Sequence, residues 1–326
     1  MAVDAPERGT DQSLPRKKSG AQTGDRVFRS LSLSAGLLVL LIILAIAVFL
    51  ILKAIPAIQQ DKVNFFSSKE WNPRSGNARF GILAIAFGTL VSSALALIMG
   101  VPVALGVALF ISHYAPRRLA TVLGYIVDLL AAVPSIVFGL WGRDFFDGKV
   151  QLLSMYLHDH LGFIPLFGTN GTYGGSIFLG GIILAIMILP IVASLSREVF
   201  LQTPLTNEEA ALALGATRWE MIRIAVLPFG TPGVLAASML GLGRALGETI
   251  AIALVLSTSY TISWRILQPG GNTIAANIAN SFAESDGTGR GALIASGLVL
   301  FAITLVVNLA ARAIIYRRRE FVDSAA

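Results

Sequence analysis

Asn207–Glu248 reads NEEAALALGATRWEMIRIAVLPFGTPGVLAASMLGLGRALGE. Its first half is polar and helix-forming, and it lies between two long apolar runs. Its second half is one of those runs, and it carries Arg244 and Glu248 four residues apart, where lipid-facing residues are expected. The first half reads as a docking surface for a partner outside the membrane. The second reads as part of the pathway that such a partner controls.

The chain around it has 326 residues, 55% hydrophobic and 13% charged. A soluble domain is usually about a quarter charged. The deficit comes from apolar runs long enough to cross a bilayer, for which about 20 residues suffice. No segment alternates over the roughly 10 residues of a membrane β-strand, so the reading is an all-α membrane protein in a lipid bilayer. The net charge of +6 reflects cytoplasmic loops rich in Lys and Arg, and no basic cluster on a soluble fold points to nucleic acid. With no cysteine, disulfides, cysteine-ligated zinc, iron–sulfur clusters and thiol nucleophiles are excluded. His113, His158 and His160 fall at expected helix ends or in a loop and read as solvated residues, with no metal site.

Residues 1–30 are polar and mixed in charge, as in a mobile cytoplasmic tail. Six apolar runs follow: Leu31–Leu52, Phe80–Ser112, Ala120–Trp141, Gly174–Ser194, Gly233–Leu256 and Gly291–Ile315. The first is too long for the core of a signal peptide and no small-residue cleavage site follows, so it reads as a retained anchor. The second exceeds one simple span, and Gly100-Val101-Pro102 suggests a kink. The third is broken at Pro134, and a loop is expected over 142–173. Another polar loop is expected over 257–290, and residues 317–326 form a short tail.

Six spans place both termini on one side. With the tails inside, 15 Lys and Arg lie on inner segments against nine on outer loops. That bias puts both termini and the segment 199–230 in the cytoplasm. The core of the protein is then 80–316.

Within the cytoplasmic segment, Thr206 and Glu209 have capping-box spacing, which starts a helix. Gly215 suits the left-handed residue that ends it. Thr217 and Glu220 repeat the spacing, so a second short helix is expected from Arg218 to about Leu227, with a turn at Pro228. A loop that merely joins helices is usually only about 2–8 residues long. A structured docking element is the better reading.

Arg244 and Glu248 would share a helix face at i and i+4. A charge at the bilayer centre costs at least about 2.5 kcal/mol and usually faces a bundle interior or a water-filled path. Two readings stand. One is an internal salt bridge that fixes packing. The other is that Arg244 meets an anion in transit while Glu248 orients or releases it, since the guanidinium fork matches a tetrahedral oxyanion. Gly243 and Gly247 form a G-x-x-x-G that permits close helix approach. Asp128 reads either as the partner of a cationic group or as a vestibule residue. Ser135, after Pro134, reads either as a substrate contact or as a donor to carbonyls freed by the proline.

Glu209-Ala210-Ala211, then Gly215, then Leu227-Pro228 resemble the EAA motif of ABC-importer permeases. Ala225 stands where that motif usually has an aliphatic residue. Gly243-Arg244-Ala245-Leu246-Gly247-Glu248-Thr249 is similar to the signature of PstC-type phosphate permeases. So are Ala213 to Trp219, Pro134-Ser135 and Asn272-Thr273-Ile274-Ala275. The resemblance implies a six-helix, type I (MetI-like) importer permease in the bacterial inner membrane. It implies coupling to an ATPase through Glu209, Ala210, Ala211, Gly215, Leu227 and Pro228, and a transport role for Arg244 and Glu248. The implied partners are a PstA-type sister permease, two PstB-type ATPase subunits and a PstS-type phosphate-binding protein. No G-x-x-x-x-G-K-S/T loop is present, so ATP and magnesium are expected in the partner ATPase, and no cofactor in this chain.

One alternative lies within this class and two outside it. Arginine does not separate phosphate from sulfate or molybdate. An ion-coupled secondary transporter would use Arg244, Glu248 and Asp128 as a relay, but no inverted repeat is evident and the EAA-like segment argues against it. No nucleophile elbow, carboxylate pair or metal cluster supports a membrane enzyme.

Overall fold

The computed structural model describes residues 20–74 and 76–323. Residues 1–19 of the expected tail, and 324–326, lie outside them. The chain divides into two compact units, 1–49 and 50–326.

In the first unit the described residues form one helix, the start of α1 (Gly20–Gln60). Its large apolar side chains from Val27 to Phe49 are exposed all round, as expected of a helix solvated by lipid. Residues 20–30, expected to be mobile, are instead the helix's first turns. Backbone groups entering a bilayer have no water to bond, so helix continues through the interface.

The second unit begins with the end of α1 and a small outer hairpin, β1 (Trp71–Asn72) and antiparallel β2 (Arg79–Phe80). Phe65 and Trp71 pack edge-on against Phe80, and Trp71 stacks on Tyr260. Helix α2 (Leu83–Leu109) runs unbroken through Pro102 and ends in a π-helical turn, Phe110–Tyr114.

The third apolar run is not one straight span. α3 (Arg117–Ala131) and α4 (Ser135–Trp141) are bent by 90° at the break between them. Pro134 has no N–H to offer α3, and its extended ψ of 138° redirects the chain. The expected loop 142–173 is largely helical as well. A π-helical turn, Gly142–Phe146, carries α4 directly into α5 (Asp147–Leu161). His158 and His160 therefore sit in the last turn of a helix. Their Nδ1 atoms lie 3.0 and 2.9 Å from the carbonyls of Phe167 and Tyr156.

Helix α6 (Ile177–Leu201) is the axis of the core, and fifteen of its residues are buried. α2 covers one side, and α9 (Leu227–Gly247) another. Small residues permit this close approach: a Cβ at Gly230 would sit 2.7 Å from Phe200, and one at Gly241 2.9 Å from Val192. α9 ends at Glu248 and the chain resumes as α10 (Ile250–Val255). The outer segment 257–273 then leads to α11 (Ile274–Ser281), whose first half, Ile274 to Asn277, is buried rather than looped out. Asn272-Thr273-Ile274-Ala275 makes that re-entry. The Thr273 side chain accepts the Ala276 amide, and Thr89 on α2 accepts the Ile274 amide across 3.0 Å. Asn277 Oδ1 gathers Tyr260 Oη and Asn272 Nδ2. Burial pushes the Tyr260 hydroxyl above its usual pKa and keeps it a donor. α12 (Gly287–Asp323) closes the unit, and it carries helix into the expected tail 317–323.

Five helices are long and apolar enough to cross a membrane, and six spans result if the bent pair α3 with α4–α5 counts as one.

Candidate functional site

The expected docking element is a helix, a glycine turn and a helix: α7 (Leu205–Ala213), a turn at Gly215, and α8 (Arg218–Met221). Gly215 has φ +85° with open space around it, so backbone conformation alone selects glycine there. Thr217 and Glu220 form the reciprocal capping box. The Thr217 amide donates to Glu220 across 2.8 Å, and the Glu220 amide to Thr217 Oγ1 across 3.3 Å. The first box is not made. Pro204 takes the cap position, with φ −60° already helix-compatible, so Thr206 falls inside α7.

Nor does the chain turn at Pro228. α8 passes through a π-helical turn, Ile222–Val226, straight into α9. The wide turn absorbs the hydrogen bond that Pro228 cannot donate. Ala211 packs beneath with Met221, Ile222, Val226 and Phe200, while Glu209 and Ala210 face outward. Leu214 is 89% exposed and Trp219 55%. A groove of about 490 Å3 runs between Ala210 and Leu214 on one side and Ile224, Pro228 and Phe229 on the other. One tie was not visible in the sequence. Glu208 Oε1 lies 3.5 Å from His113 Nε2, and His113 Nδ1 lies 2.7 Å from Ser112 Oγ. This links α7 to the end of α2.

Arg244 and Glu248 do not pair. The helix stops between them: Glu248 is extended, with ψ 128°. It is buried at 8% exposure, and its Oε1 accepts the Ala251 amide across 3.1 Å. A carboxylate at the start of α10 satisfies an orphan donor and complements the helix dipole. Among the described residues no carboxylate lies within ion-pair distance of Arg244. Gly243 and Gly247 have nothing within 4 Å of a notional Cβ. The expected close approach is not made within this chain, and Arg244 lies beside an open helix surface.

Ser135 belongs to the same level of the molecule. α4 and α10 pack in parallel: a Cβ at Gly139 would sit 2.7 Å from Ala251 Cα, and one at Gly142 3.3 Å from Val255. One turn earlier, that register brings the break before Ser135 level with the break at Glu248. Two helix starts thus lie side by side inside the membrane-spanning part, one turn beyond Arg244. Ser135 makes no hydrogen bond to freed carbonyls among the described residues.

Asp128 lies apart from these. Its Oδ1 accepts from Ser194 Oγ across 2.5 Å and its Oδ2 is 3.6 Å from Arg197 Nη2 on α6. Of the two readings for Asp128, the structure makes the cationic pairing, with Arg197 near the end of α6.

Residues 100–320 match the family described as binding-protein-dependent transport system inner membrane component. The chain is 47% identical over 299 residues to the Mycobacterium tuberculosis phosphate transport system permease protein PstC 2, covering 90% of this chain and 92% of that one. It is 40% identical over 297 residues to the Xylella fastidiosa phosphate transport system permease protein PstC, covering 90% and 91%. Among solved structures, a bacterial ABC transporter that imports the acidic polysaccharide alginate aligns with TM-score 0.57 at 19% identity, over 91% of this chain and 99% of that one. The MetNI methionine ABC transporter aligns with TM-score 0.54 at 16% identity, over 73% and 95%. The fold is that of an ABC-importer permease subunit, a multi-pass membrane component of a larger transporter. The chain belongs to the binding-protein-dependent transport inner membrane components, in their PstC branch.

Proposed function

We propose that this chain is the phosphate-conducting permease subunit of an ATP-driven importer in the inner membrane, with both termini in the cytoplasm. The observation that carries the reading is Arg244, a membrane-embedded cation with no carboxylate partner among the described residues, one turn from two level helix breaks. An arginine left unpaired at that depth is poised for an anion. The PstC names of the relatives select phosphate among tetrahedral oxyanions.

A PstS-type protein delivers phosphate to the outer face, and a PstA-type permease completes the path. Two PstB-type subunits bind and hydrolyse ATP with magnesium, so this chain is not itself an enzyme. Arg244, Ser135 and Glu248 line the route. α7, α8 and the groove beside them receive the ATPase through Glu209, Ala210, Ala211 and Gly215. The unbroken helix from Arg218 to Gly247 carries the motion to Arg244. Its π-helical turn and Leu227-Pro228 mark where that rod has slack in its hydrogen bonding.

Labelled phosphate uptake by the whole complex, with a protonophore present and ATP maintained, tests the reading. Uptake continues if ATP drives it; collapse would assign the charged residues to an ion relay instead. Gly215→Val tests the coupling element. A side chain in the left-handed conformation costs about 1–2 kcal/mol, and β-branching adds to it. The expected outcome is loss of ATPase association or of ATP-coupled uptake. Normal association and uptake would remove α7 and α8 from the coupling route.

A further inference from the structure

Resting on that reading of the chain as a phosphate permease, we infer that the cavity between α3 and α6 is a second anion station, from which phosphate is released, and that Arg197 is its binding residue. The cavity holds about 530 Å3 and is lined by Arg117, Thr121, Tyr125, Asp128, Arg197 and Glu198. It lies where α3 begins and α6 ends, the cytoplasmic side in the proposed topology. That volume is many times the roughly 30 Å3 share of one water, so it accommodates a phosphate with part of its hydration shell.

The fold makes room for this arginine. Gly124 on α3 has no side chain, and a Cβ there would collide with Arg197 Nη1. The Arg197 side chain is only 14% exposed. Its pairing is nevertheless incomplete. Nη2 is 2.6 Å from Glu198 Oε1 and 3.6 Å from Asp128 Oδ2, whereas Nε is buried without a hydrogen-bond partner among the described residues. A guanidinium presents two parallel N–H donors to an oxyanion. Of that edge only Nη2 is engaged, and Nε, buried as the side chain stands, donates to an oxyanion once the guanidinium turns toward the cavity.

Asp128 and Glu198 line the same cavity, and their side chains are 47% and 56% exposed, so their hold on Arg197 is screened. An arriving phosphate competes with both carboxylates for the fork. When it leaves, the carboxylates take the arginine back. With Arg117 and Arg197 set against Asp128 and Glu198, the lining is balanced in charge. Such a station holds phosphate weakly, as release requires, whereas Arg244 faces no carboxylate.

The chain contains no cysteine, so one introduced thiol reports on the cavity. Thr121→Cys is placed in the whole nucleotide-free complex and reacted with a small charged thiol reagent, and the labelled subunit is resolved by mass. Millimolar phosphate is expected to slow labelling several-fold where equal chloride does not. Arg197→Gln in the same background is expected to abolish the protection while leaving labelling itself unchanged. Tyr125→Cys serves as a second reporter where Thr121→Cys alters assembly. Unprotected labelling at both positions, in complexes that still transport phosphate, would overturn the station and leave Arg197 a tie between α3 and α6. Failure of the unmodified complex to transport phosphate would instead overturn the permease reading, so the two failures are distinguishable.

Discussion

Arg244 and Glu248 stand four residues apart on one apolar run and do not meet, whereas Arg197 and Asp128 stand on different helices and do. The rule that i and i+4 share a face holds only while the helix lasts. At Glu248 it does not last, so the carboxylate turns to the Ala251 amide and Arg244 is left beside open surface. At Gly124 the absence of a side chain opens a slot into which Arg197 reaches from the neighbouring helix. The first set is a cation with no counter-charge, suited to meeting an anion from the outer side. The second is a cation restrained by two competitors, suited to letting one go.

The comparison is sharpened first by truncating Glu248. Glu248→Ala leaves the buried Ala251 amide without an acceptor. A loss of about 1–3 kcal/mol is expected, read as a lower melting temperature of the purified complex. An unchanged melt would mean that the break at Glu248 holds itself open without the carboxylate. Glu248→Gln keeps an oxygen for the same amide, so its expected stability lies close to wild type. A melt as low as that of the alanine variant would show that charge, rather than hydrogen bonding, holds the start of α10. Asp128→Asn should likewise have a small effect. Its side chain is half exposed and keeps a Ser194 bond, so about 0–1 kcal/mol is expected. A larger fall would make the Arg197 pairing the principal tie of α3 to α6. The ion pair is thus expected to matter less to stability than the single hydrogen bond that Glu248 accepts from the Ala251 amide.

Much of the fold was legible because lipid demands long apolar runs, and all six runs correspond to helical segments. The helix, glycine turn and helix over 205–221 were legible because turns and caps are local chemistry: Gly215 and the pair Thr217 with Glu220 form as read. Where a local signal had a competitor, it lost. Pro204 pre-empted Thr206, and the π-helical turn before Pro228 let α8 run on where a turn was expected. The break at Glu248-Thr249 carries no proline and no turn signal. It is stabilised by the packing of α10 on α4 through Gly139, a contact between distant segments. The helical nature of 142–161 was hidden for the same reason, since its polar face reads as a loop until the bend at Pro134 is known. His113 with Glu208, and Arg197 with Gly124, each needed two elements brought together, which no local pattern announces.

The central claim is that Arg244 touches phosphate in transit and does not hold the fold. The most direct measurement reads phosphate uptake and ATP hydrolysis together in proteoliposomes carrying the whole complex with Arg244→Ala. The loss of one charged hydrogen-bonded contact, about 1.5–3 kcal/mol, corresponds to a fall in uptake of roughly 10- to 100-fold. The account predicts that fall with the complex assembled and ATP hydrolysis retained. Normal phosphate uptake by the variant would contradict it and return Arg244 to a structural role.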